Sequence, residues 1–119
     1  MKPTRFYSHK QEKQVAKAVG GKQTPNSGAT SFVKSDILTN LFAIECKTVT
    51  TEKKSISIKK DWLTKNKEEA FEMGKSYSAL AFNFEPGGEN YYVIDERLFK
   101  ILNEYLQEEE WCICDTKGE

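Results

Sequence analysis

Leu41-Phe42-Ala43-Ile44-Glu45-Cys46-Lys47-Thr48-Val49 decides how this chain is read. The run is apolar and strand-prone except for one acid and one base. Strand side chains alternate faces, so Phe42, Ile44 and Cys46 fill one side while Glu45 and Lys47 project together, about 7 Å apart along the strand. Charges set in an otherwise apolar strand are costly unless solvated, paired or bound to a metal.

Immediately upstream, Phe32 to Leu38 also reads as a strand, with a turn at Thr39-Asn40. A hairpin about that turn pairs Leu38 with Leu41 and Asp36 with Ala43. Asp36 then becomes a diagonal neighbour of Glu45 on one side of the sheet. A slip of one residue would turn Asp36 to the other face.

The same patterns extend outward. Ser8 to Val19 reads as a helix capped by Ser8 and stopped by Gly20-Gly21. Residues 20–31 are turn-formers with almost no bulky apolar side chains, which predicts a mobile surface loop of a length that suits binding. Ser55 to Ile58 predicts a further short strand. Asp61 to Met73 predicts a helix with Trp62, Leu63, Ala70, Phe71 and Met73 as its apolar positions, and Trp62 and Phe71 are expected in the core. Tyr77 to Phe84 and Tyr91 to Ile94 read as strands around a Pro86-Gly87-Gly88 turn. A last helix opens at Asp95 or Glu96 and closes on Glu108-Glu109-Glu110, where acids oppose the helix dipole. Helix, three strands, helix, two strands, helix implies an α/β fold: a single domain, residues 1–119, with a central mixed β-sheet flanked by helices.

Composition sets the class. Hydrophobic residues are 38% and charged residues 30% of 119, a soluble globular balance. No apolar run approaches the roughly 20 residues that span a bilayer. The first residues carry no apolar stretch behind their basic ones, so no membrane and no export are expected, and a cytoplasmic location is. Three cysteines, an odd count, suit a reducing compartment. Cys112 and Cys114 are too close for a zinc knuckle, and the lone His9 reads as surface. The net charge of zero conceals a division: residues 1–67 hold fourteen Lys/Arg against five Asp/Glu, and residues 68–119 hold four against thirteen. Either a basic face awaits a polyanion, or the two halves pair with each other.

Two carboxylates converging with an ammonium suit phosphodiester hydrolysis. Carboxylates are hard oxygen ligands for Mg²⁺, and a lysine can orient a water or offset charge developing on phosphorus. The plain alternative for Glu45 and Lys47 is an ordinary surface ion pair worth about 1 kcal/mol or less.

Asp36 followed by Ile44-Glu45-Cys46-Lys47-Thr48 resembles the core of the PD-(D/E)xK nuclease superfamily, and within it the small Holliday-junction resolvases of archaea and phages. The likeness covers about residues 8–84: a helix with a glutamate, a Ser/Gly/Pro-rich loop, an Asp strand, an Ile-Glu-Cys-Lys strand, then helix and strand. Ser35 stands where the superfamily's name has Pro. The resemblance implies a restriction-endonuclease-like fold and makes Asp36 and Glu45 the principal metal ligands and Lys47 the catalytic lysine. It adds Glu12 as an assisting ligand and the Cys46 carbonyl to the metal shell. Ser27, or Ser31 in its place, corresponds to the loop serine near the scissile phosphate. The implied cofactor is Mg²⁺, with Mn²⁺ able to substitute, and the implied origin is prokaryotic or phage.

Lys22, Lys34, Lys53, Lys54, Lys59 and Lys60, with Lys65 and Lys67, would supply salt-sensitive contacts to the DNA backbone. A solvated basic face is the alternative. The expectation is a structure-selective DNA endonuclease that attacks phosphorus in line with a metal-activated water. Because a four-way junction is two-fold symmetric and each chain has one centre, a homodimer is expected. A nuclease for nicks, flaps or repair intermediates, or an inactive nucleic-acid-binding module, would carry the same sequence signals.

Overall fold

A computed structural model describes residues 3–24 and 35–116, with side chains as far as Glu109. Its elements are α1 (Thr4–Val19), β1 (Lys22–Gln23), β2 (Ile37–Leu38), β3 (Phe42–Lys47), α2 (Lys60–Glu72), β4 (Tyr77–Phe82), β5 (Tyr91–Val93) and α3 (Glu96–Thr116). The five strands form one sheet in sequence order. Neighbours are antiparallel except β3 and β4, which are parallel from Phe42↔Tyr77 to Lys47↔Phe82. A parallel pair needs a crossover, and α2 supplies it. The fold is therefore α/β, with a mixed sheet flanked by helices.

Alternation along β3 sorts the two faces. Ile44 joins Val15 of α1, Ile37, Ala79 and Ala81 in the buried core, with Phe42 and Cys46 packed against it. Ala43, Glu45 and Lys47 turn the other way, toward α2. That helix is fixed to the sheet by a buried amide. Asn66 Nδ2 donates to the carbonyls of Ala43 (3.2 Å) and Ala79 (3.0 Å), and its Oδ1 accepts from Ser35 Oγ (3.0 Å). Asn66→Ala would strand these partners in the interior and should cost about 2–3 kcal/mol. Urea unfolding at pH 7 checks this; a loss within 0.5 kcal/mol, on the order of an ordinary surface change, would contradict it.

The double glycine after α1 is needed twice over. Gly20 closes the helix at φ 67°, in the left-handed region. Gly21 has no room for a side chain, because a Cβ there would meet Ile37 Cγ2 at 2.8 Å and the Leu38 carbonyl at 2.9 Å.

Several expectations are corrected. Ser8 does not cap α1, which begins at Thr4 behind Pro3, whose fixed φ suits a helix entrance. The three strands of the first half number as predicted but differ in membership. Lys22–Gln23, within the expected loop, forms β1, whereas Ser55–Ile58 forms no strand. Both edges of β3 are already taken by β2 and β4, so no ladder beside β3 is open to that segment. Two residues before it, the Lys53 N–H donates to the Phe84 carbonyl (2.7 Å). Phe71 is not core but 84% exposed, because α2 turns the neighbouring Asn66, Glu69 and Ala70 to the sheet and a helix rotates about 100° per residue. Trp62 is half-buried. The acidic run does not close the last helix, which continues to Thr116. Phe32, Lys34, Ser27 and Ser31 lie outside the described residues.

Candidate active site

The hairpin register differs from the simplest one by two residues. Leu38 pairs with Ala43 rather than Leu41, and Ile37 pairs with Ile44. Since side chains repeat every second residue, a shift of two keeps every face, and Asp36 is carried closer to Glu45. The ladder ends at Asp36. Its N–H donates to the Ile44 carbonyl (3.0 Å), its carbonyl accepts from the Thr24 N–H (3.0 Å), and its Oδ2 accepts from the Cys46 N–H (2.8 Å).

Three acids share this end of the sheet. Burial raises the Asp36 carboxyl, while the Cys46 N–H and Lys47 pull the other way. Burial and then the neighbouring Asp36 push Glu45 up to about 7, although Lys47 opposes them. Glu12, on α1, is raised by burial and by Asp36, and is partly relieved by a hydrogen bond with Gln23. Asp36 is thus within the field of both glutamates. Cys46 is within the field of all three, and burial followed by these acids holds its thiol far above its ordinary range. Its side chain packs against the core.

Lys47 answers these acids. Its Nζ stands 3.6 Å from Glu45 Oε2 and 4.6 Å from the centre of the Trp62 ring. Lys59 Nζ lies 5.7 Å from the same ring. Trp62 is therefore neither simple core nor a free stacking surface. It is a platform that holds Lys47 and links it to the lysine-rich segment. The carbonyl of Lys47 accepts a hydrogen bond from Gln11 Nε2 (2.9 Å), which also donates to Asn90 Oδ1 (3.0 Å). Gln11 is buried and directly precedes Glu12, so one turn of α1 both fixes the end of β3 and delivers the third acid.

Lys53, Lys54, Lys59 and Lys60 are exposed on the stretch that leaves β3 and enters α2. Lys65 is exposed on α2, and Lys67 is paired with Asp95 at 3.1 Å. Lys22 is not gathered with them. It lines a groove of about 670 Å³ at the hairpin end of the sheet, with Lys75 and the apolar Val19, Leu38, Leu41 and Phe42. That groove has no acid in its lining, and Asp36, Glu45 and Lys47 do not line it.

Gln11, Ser35 and Trp62 were not assigned to the site from sequence. Ser35 is buried, with Oγ 3.0 Å from Asn66 Oδ1 and 3.4 Å from Glu69 Oε1, which anchors the chain immediately before Asp36. A buried polar residue beside a candidate acid is a signal that only a folded chain discloses.

Among the described residues, no three His, Cys, Asp or Glu side chains stand close enough to cage a metal ion. No helix described is long and apolar enough to cross a membrane. No protein-family model matches the chain, and neither a curated protein nor a solved structure matches it.

Proposed function

We propose that the chain is a Mg²⁺-dependent, structure-selective DNA endonuclease of the Holliday-junction resolvase type, within a PD-(D/E)xK nuclease family. The carrying observation is that Asp36 and Glu45, raised by burial and, for Glu45, by the neighbouring Asp36, share one end of the sheet with Lys47. An excess of crowded carboxylate over cation is what a divalent ion relieves. Mg²⁺ requires no all-protein cage: it takes one or two carboxylates and completes its shell with water and phosphate. Asp36 and Glu45 would hold it, assisted by Glu12 and the Cys46 carbonyl.

When bound, the ion supplies an acidified water and a Lewis acid for the phosphate. The chain supplies the rest. Lys47 Nζ, confined between Glu45 and Trp62, donates to the water or to a phosphate oxygen and offsets charge as phosphorus becomes five-coordinate. Lys53, Lys54, Lys59 and Lys60 hold the DNA backbone without reading sequence. Two such centres in a homodimer match the two-fold symmetry of a four-way junction.

The test is a labelled four-way junction beside its linear duplex, with Mg²⁺ or EDTA, for wild type and Glu45→Ala. Paired symmetric nicks in the junction alone, lost with EDTA and with Glu45→Ala, are expected. Equal cutting of duplex and junction would retain the nuclease and remove the resolvase. Binding without cutting would mark a nucleic-acid-binding module.

A further inference from the structure

We propose that a cleft between the end of α2 and the start of β4 binds a nucleoside monophosphate, its phosphoryl group on Lys75 and Arg97 and its base on Phe71. The cleft holds about 280 Å³ and is lined from α2, β4 and the entrance to α3. Its lining sets three cations, Lys67, Lys75 and Arg97, against one acid, Asp95. Asp95 is already paired with Lys67 at 3.1 Å. Lys75 and Arg97 have no carboxylate within ion-pair reach among the described residues, and Lys75 is half-buried. A partly desolvated ammonium without a counter-ion is a place for an anion. Arg97 is held ready for one. Its Nη2 donates to the Ser76 carbonyl (2.7 Å), and its guanidinium lies 4.8 Å from the centre of the Tyr77 ring. Fixed in this way, it loses little freedom on binding and keeps its remaining N–H donors for a ligand. A planar fork of donors suits the oxygens of a phosphate.

Phe71 identifies the organic part of the ligand. It is 84% exposed, against 59% for Tyr105, the next most exposed large apolar side chain among the described residues. It lines the same cleft as the two unpaired cations. An aromatic face beside a phosphate site holds a base by stacking, whatever the base. The cleft is smaller than the roughly 300–1,000 Å³ of pockets that enclose a whole ligand. It therefore admits the phosphoryl group and leaves the base at the lip, with Phe71. The nucleotide can arrive free or as the phosphorylated end of a strand, and the recognising chemistry is the same. This cleft is separate from the candidate active site. Tyr77, in its lining, pairs with Phe42, whereas Lys47 pairs with Phe82. Five residues of strand, on the order of 15 Å, lie between the two.

The site rests on this cleft and not on the nuclease reading. It is tested by calorimetric titration of the full chain in EDTA, where no divalent ion can carry a phosphate to the acids. The ligands are thymidine 5′-phosphate, inorganic phosphate and thymidine, in about 150 mM salt to screen non-specific attraction. Thymidine 5′-phosphate should bind at least about tenfold more tightly than either of its parts. Phe71→Ala and Lys75→Gln should each weaken it about tenfold with an unchanged melting temperature. Lys100→Gln, the same loss of charge on an exposed residue outside the cleft, should leave it unchanged. A 5′-phosphorylated oligothymidylate that binds more tightly than the free nucleotide makes strand ends the source; equal or weaker binding makes it the free nucleotide. No saturable binding up to about 10 mM, equal binding of inorganic phosphate, or full affinity in Lys75→Gln or Phe71→Ala would overturn the assignment. Nucleotide binding by a chain that cuts no DNA would keep this site and remove the nuclease. Cutting without nucleotide binding would do the reverse.

Discussion

Glu45→Gln is expected to melt at a higher temperature than wild type and to cut nothing. The Glu45 side chain is only 24% exposed, and burial together with Asp36 pushes its carboxyl up to about 7, with Glu69 acting in the same direction. At pH 8 it is nonetheless ionised in the folded chain, at a cost on the order of 3 kcal/mol relative to the unfolded one. Glutamine keeps the shape and removes the charge. The melting temperature at pH 8 without divalent metal should rise by roughly 5–10 °C. Under the proposed function, Mg²⁺-dependent nicking should fall at least about 100-fold, because that reading makes the same oxygen a metal ligand. Calorimetry and the junction assay on one preparation measure both. A lower melting temperature would mean that the ion pair with Lys47 outweighs burial, and undiminished nicking would remove Glu45 from the chemistry.

The second large effect is in pH. The folded Glu45 titrates near 7 and the unfolded one near 4.5, so between these values the folded protein holds a proton that the unfolded chain has released. Stability therefore falls as pH rises through this window, by on the order of 3 kcal/mol between pH 4.5 and 8. Asp36 and Glu12, also raised, act in the same direction. Asp95, lowered by its hydrogen bond from Leu98, acts below its ordinary 3.8 and leaves the window untouched. Urea unfolding from pH 5 to 8 should show the decline in EDTA and its recovery with Mg²⁺, and Glu45→Gln should flatten the curve. A metal-free curve that climbs with pH would contradict the crowding of these acids.

How much of this was legible from residues alone varies along the chain. The β3 run was, because an alternating pattern with a buried face admits one assignment. So were α2 and the end of α1, where glycines punctuate helical spacing. The hairpin tip was not. Leu41 reads as strand, but the turn takes it in when Thr39 Oγ1 accepts the Phe42 N–H (2.9 Å), and local propensity does not contain that bond. Asp36, Glu45 and Lys47 were found together because a two-residue register error preserves faces; an error of one would have separated them. Phe71 misled because hydrophobicity says nothing about which neighbours a helix needs, and here Asn66 and Ser35 required the sheet-facing turn. Trp62 was legible as half-apolar but not as a seat for two lysines, since Lys47 and Lys59 meet there only once β3 and α2 are packed.

Asp36 is secured through its N–H, its carbonyl and its carboxylate, and through Ser35, whose hydroxyl reaches the same Asn66 that fastens α2 to the sheet. The acid therefore cannot fray while the helix stays in place. Loosening it requires the crossover to detach, which is most of the way to losing the domain. Heat should not free Asp36 ahead of global unfolding; under the proposed function, nicking activity and the cooperative transition have the same midpoint.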